Sequence, residues 1–99
     1  MITCVIQYTL DPHRIADFEK YAAAWPPVTE RRGGRLQGCF RPEEGADDLA
    51  PTLVECDSPV AYEQYRQRPA QHPEAQANVE SARQSRCIMA ERRSFLRKI

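Results

Sequence analysis

A chain of 99 residues holds one domain, and size scaling lets it bury roughly 60–70% of its extended-chain surface, so burial by association would add to a modest core. Hydrophobic residues at 41% and charged residues at 28% exclude a disordered chain. The 14 basic and 14 acidic residues cancel, which removes any long-range attraction to nucleic acid or to an anionic membrane.

From Ile2 to Leu10 the apolar residues alternate, with Ile2, Cys4, Ile6, Tyr8 and Leu10 in one phase, the period of a half-buried strand. Asp11 followed by Pro12 starts a helix, because the carboxylate accepts orphan backbone N–H groups and proline is preset for the first helical position. Ile15, Phe18, Ala22 and Trp25 form its apolar stripe. Pro26 and Pro27 interrupt it, and Val28 to Arg32 continue as a short helical piece closed by Gly33 and Gly34. Leu36 to Arg41 is a second strand, stopped by Pro42. The acidic segment Glu43 to Ala50 is a hairpin loop around Gly45, without the ligand spacing of a metal site. Thr52 to Cys56 is a third strand, with Pro51 tolerated only at its entry.

Ser58 and Pro59 repeat the cap-plus-proline start for a helix to Gln67. Pro69 and Pro73 break the next stretch, after which Ala75, Val79 and Ala82 make a small-residue stripe on a helix ending near Arg86. Cys87 to Leu96 is the last strand, with Glu91, Arg92 and Arg93 in its middle. The four cysteines, Cys4, Cys39, Cys56 and Cys87, stand singly, without the paired spacings of zinc or redox dithiol sites, and are expected to pack as reduced, inert thiols. No apolar stretch spans a bilayer, and residues 1–10 lack a basic leader, so the expected compartment is the cytoplasm, with no membrane partner.

Strand, helix, strand, strand, helix, strand is an α+β order. It gives a ferredoxin-like βαββαβ protomer over residues 1–99, with a four-stranded antiparallel sheet and its helices on one face. Apolar residues occur in both strand phases: Val5 with Ile6, Leu53 with Val54, Ile88 with Met89. The uncovered face is therefore expected to meet that of a second copy in a twofold homodimer.

The opening strand with Asp11 and Pro12, the Phe18 to Trp25 stretch, the Arg32-Gly33-Gly34 turn and Gly38 with Phe40 carry a family likeness. So do Glu44-Gly45-Ala46, Ser58 to Tyr65, Pro73-Glu74 and Glu91 to Phe95. In this order and spacing the chain resembles the NIPSNAP family of the dimeric α+β barrel superfamily. It departs from the family pattern at His72, where an acidic helix cap is expected, and at Pro51. The resemblance implies a ferredoxin-like protomer, a homodimer and, for most bacterial members, no settled activity. The wider superfamily includes cofactor-independent monooxygenases, haem-degrading enzymes and small-molecule isomerases.

The chain contains no P-loop, dinucleotide fingerprint, nucleophile elbow or metal-ligand pattern, so no cofactor and no metal is expected. His13 and His72 both stand near helix starts, where the dipole disfavours the cation; each is either surface polarity or a neutral base. Tyr8, Tyr21, Trp25, Tyr62 and Tyr65 are either core or pocket wall. Arg41, Glu55 and Glu91 lie inside strand runs, where they either pair across strands or point into a cleft. The expected site is a small pocket between the sheet and the first helix, with Tyr8, His13 and Trp25 at its walls or mouth and His13 as a weak candidate base. It would bind an apolar or aromatic small molecule. The alternatives are a cofactor-independent monooxygenase or isomerase, and a non-catalytic interaction module.

Overall fold

Alternation marks the first strand from Ile2, and an acceptor before a proline opens two of the helical segments, at Pro12 and at Pro59. The computed structural model describes residues 1–31, 34–67 and 73–99. In chain order these form β1 (Ile2–Leu10), a 3-10 turn (Pro12–Arg14), α1 (Ile15–Ala23), α2 (Trp25–Arg31) and β2 (Arg35–Cys39). There follow β3 (Leu49–Cys56), α3 (Pro59–Gln67), α4 (Pro73–Ser85) and β4 (Ile88–Leu96). Expectations placed on Arg32, Gly33, Pro69 and His72, and on the side chain of Tyr65, lie outside what is described.

The sheet order is β2-β3-β1-β4, every neighbouring pair antiparallel. This is the ferredoxin-like α+β arrangement expected from the element order. Ile2, Cys4, Ile6, Tyr8 and Leu10 are each less than a tenth exposed. They join Ala50, Val54 and Cys56 of β3 in one cluster with Phe18, Tyr62 and Ala82 of the helices. The odd positions of β1 and β3 look the other way, and no helix among the described residues covers them. Val5 and Leu53, a register pair, are half-buried there, with Leu49 and Leu96 more exposed.

The helix starts have the expected chemistry, with one difference of detail. Asp11 Oδ1 accepts from the His13 N–H at 2.9 Å, but the turn it caps is 3-10, and the α-helix begins at Ile15. Ser58 Oγ accepts from the Ala61 N–H at 3.1 Å. The prolines at 26 and 27 sit in the first turn of α2, where their missing N–H groups have no helical acceptor in any case. Trp25 therefore opens α2 instead of ending the stripe of α1.

Two expectations are corrected. Pro51 lies inside β3, a strand with neighbours on both sides, and not at its entry. The Phe40 N–H donates to the Pro51 carbonyl at 3.0 Å. Because the N and O of one residue point to the same side of an antiparallel strand, the proline nitrogen also faces Phe40, just past the end of β2, and the one reciprocal bond of that terminal pair is what the proline forgoes. Val79 is about half exposed (49%), not packed. The inward stripe of α4 is Ala75 and Ala82, both buried, with Asn78 partly buried between them, and Asn78 Nδ2 donates to the Tyr21 carbonyl at 3.0 Å, tying α4 to α1. Among the described residues no helix is long and apolar enough to cross a membrane.

Candidate functional site

A cleft of about 670 Å³ opens between the α1–α2 corner and the β2 edge. Small residues make it. Ala22, Ala23 and Pro26 face Leu36 and Phe40, so the helices leave room where larger side chains would close on the strand. Phe18, only 1% exposed, forms the inner wall and joins the cleft to the core.

On the strand side the wall depends on a bulge. Register with β3 slips between Leu36 and Gly38, so Gln37 and Gly38 together oppose Leu53. The Phe40 ring lies across Gly38: a Cβ built there would come within 3.0 and 3.1 Å of two ring carbons. Glycine lets that ring lie close against the strand, and a side chain here would push the ring outward.

Two charged side chains line the cleft, and they pair with each other. Arg41 Nη1 stands 3.0 Å from Glu19 Oε1, linking the end of β2 to α1, and its Nη2 stands 3.6 Å from Glu43 Oε2. All three side chains are about half exposed or more, so each pair contributes about 0–1 kcal/mol and exchanges readily. Cys39, half-buried, also faces the cleft, whereas Cys4, Cys56 and Cys87 are buried. Burial pushes the Cys56 thiol up.

Tyr8 and Trp25 are brought together, but through Tyr21. The Tyr8 ring packs edge-on against Phe18 (5.5 Å between centroids) and Tyr21 (6.3 Å), and Tyr21 against Trp25 (5.7 Å). The Tyr8 and Tyr21 phenols interact through their side chains, and Tyr21 interacts with Trp25 in the same way. Burial is the largest reason why both phenols are held above the usual tyrosine value. His13 does not join them. It is exposed in the turn before α1, while Trp25 follows α1, and a nine-residue helix rises about 14 Å. None of Tyr8, His13 and Trp25 lines the cleft, which lies beside the aromatic group and shares Phe18 with it.

The remaining charged candidates divide between the two readings. Glu55 pairs across strands with Arg35 at 3.2 Å and accepts from Gln37 at 2.7 Å on the uncovered face. Arg41 is the one at the cleft. Glu91 pairs with Arg93 of its own strand at 3.3 Å. Among the described residues no cluster of His, Cys, Asp and Glu could hold a metal ion. A second, smaller groove of about 400 Å³ lies between α3 and β4, where Phe95 packs edge-on against Tyr62 at 4.9 Å.

Glu19 and Cys39 were not legible as cleft residues from spacing alone, and for Arg41 spacing left cross-strand pairing and a cleft equally open. The usable signal was a glycine inside a strand with an aromatic residue two positions on, Gly38 and Phe40, opposite an alanine pair on the preceding helix.

Comparison with known proteins agrees with this fold. The sequence profile of the NIPSNAP family matches residues 4–99. A protein from Agrobacterium tumefaciens superposes with a TM-score of 0.87 at 17% identity, covering 100% of this chain and 94% of its own. An uncharacterised NIPSNAP domain protein from Burkholderia xenovorans gives 0.80 at 19%, covering 100% and 95%. A candidate antibiotic biosynthesis monooxygenase from Nitrosomonas europaea gives 0.76 at 4%, covering 100% and 99%. None of the curated proteins compared matches the chain significantly.

Proposed function

The chain belongs to the NIPSNAP family, and from that premise we propose that it acts as a homodimer whose subunits each bind a small apolar or aromatic molecule in the α1–β2 cleft. The observation that carries the binding reading is the cleft wall: Phe18, Ala22, Pro26, Leu36 and Phe40, closed at the rim by one exchangeable ion pair. Pockets of this size and lining suit small molecules of mixed apolar and polar character. The dimer reading is supported by Val5, Leu49, Leu53 and Leu96, which share the sheet face that no helix among the described residues covers. The described cysteines form no disulfide, which supports a reducing, cytoplasmic setting.

A catalytic reading, as a cofactor-independent monooxygenase or isomerase, has fold likeness behind it, and fold likeness does not carry activity. In the cleft the one carboxylate available as a base is Glu19, and Arg41 already holds it.

The test uses the neutral dye Nile red with Cys39 as a native reporter. Nile red should bind and slow the labelling of Cys39 by a maleimide. Ala23→Phe, at an exposed position of the wall, should fill the cleft and abolish both effects while leaving the circular dichroism spectrum intact. Undiminished dye binding in that variant, with Cys39 labelled at the same rate throughout, would rule the cleft out as the site.

A further inference from the structure

The ion pairs at the cleft rim are not symmetric, and the asymmetry selects a ligand class. Arg41 is shared between two carboxylates, Glu19 at 3.0 Å and Glu43 at 3.6 Å, but only Glu19 lines the cleft. If Arg41 moves wholly to Glu43, the guanidinium keeps a partner and Glu19 is freed beside apolar walls. An arriving ammonium or other donor can then take Glu19 with no charge left unpaired. An arriving carboxylate would instead compete with two carboxylates for one guanidinium, and like charges so close are repulsive.

The surroundings reinforce this. Arg41, Glu19 and Glu43 together carry one net negative charge, and the loop that follows adds exposed Glu44 and Asp47. Among the described side chains that of Arg35, at the start of β2, is held on the uncovered sheet face by Glu55 at 3.2 Å and Asp57 at 2.9 Å. Phe40, about half exposed, lines the same cleft, and an aromatic ring there is a further favourable contact for a cation.

We propose that the cleft takes apolar amines: an aromatic or aliphatic body among Phe18, Leu36 and Phe40, with its protonated amine on Glu19 in exchange for Arg41. This rests on the reading of the cleft as the binding site. The test compares three probes with one indole body, tryptamine, tryptophol and indoleacetate, by calorimetry at neutral pH and low salt and by protection of Cys39. Tryptamine should bind about tenfold tighter than tryptophol, the scale of one partly exposed charge-assisted hydrogen bond, and indoleacetate more weakly than either. Glu19→Gln should collapse the preference of tryptamine over tryptophol to near unity. Equal binding of all three, or tightest binding of indoleacetate, would overturn the amine assignment while leaving the cleft as a site. So would a preference that survives Glu19→Gln. If neither the three probes nor Nile red protects Cys39, the cleft itself is not the site, and the assignment falls with it.

Discussion

The two faces of the sheet are made by the same strands and live in different solvents. On the helix side of β1 five side chains in a row are less than a tenth exposed, and across the strand Val54 and Cys56 are each 3% exposed. On the other side, Val5 opposes Leu53 among Thr3, Gln7 and Thr9, and the Arg35–Glu55–Gln37 cluster lies beside them. One residue of register decides which environment a side chain meets. A hydrophobic residue therefore means core packing on one face and an available surface on the other.

The sharpest way to break that comparison is the same substitution on each face. Val54→Asp buries a carboxylate in the helix-side core, at a cost of several kcal/mol, against a whole-domain stability of about 5–15 kcal/mol. That variant should lose its cooperative thermal transition. Val54→Ala, a milder change, should lose about 2 kcal/mol by denaturant titration. Val5→Asp should keep the native circular dichroism spectrum and shift the protein from dimer to monomer in light scattering at micromolar concentration. A wild-type protein that scatters as a stable monomer would remove the dimer reading.

A second, smaller effect distinguishes the faces by pH. Tyr8 is 6% exposed on the helix side, and its phenol, like that of Tyr21, is held above the ordinary value of about 10, first by burial. In the folded state the neutral form is favoured, so the stability these groups contribute is complete below about pH 10. It is lost as pH rises beyond that, where the unfolded chain ionises first. The denaturant midpoint should fall between pH 9 and pH 11, and a Tyr8→Phe/Tyr21→Phe double variant should show a shallower fall. An identical slope in the variant would show that other groups govern alkaline unfolding.

The smallest effect belongs to neither face. Ser58→Ala removes the bond to the Ala61 N–H at the start of α3 and should cost about 1 kcal/mol, read as a shift in denaturant midpoint with an unchanged m-value.

The helix caps, the proline break after α1 and the period of β1 were legible because each acts within a few residues. The stripe of α4 was not. Ala75 and Ala82 are compatible with either Asn78 or Val79 between them, three or four residues on, and only the packing of α4 on α1 selects Asn78. Pro51 was misplaced for a related reason: proline is excluded from a ladder position, and the sequence does not say where the neighbouring strand ends.

The candidate site divides in the same way. Tyr8 and Trp25 do meet, because alternation sends Tyr8 to the helix side and the α1–α2 corner returns Trp25 toward Tyr21. His13 stays apart because it precedes the helix that Trp25 follows. From the residues alone came the element order, the α+β class and the two-faced sheet, since periodicity, caps and prolines are local chemistry. The tertiary structure alone decided that a bulge at Gly38 would lay Phe40 beside an alanine pair, and that Arg41 would reach Glu19 across the opening. Such a cleft belongs to the register of one strand against another and to the angle of a helix over both, which no single segment of the chain contains.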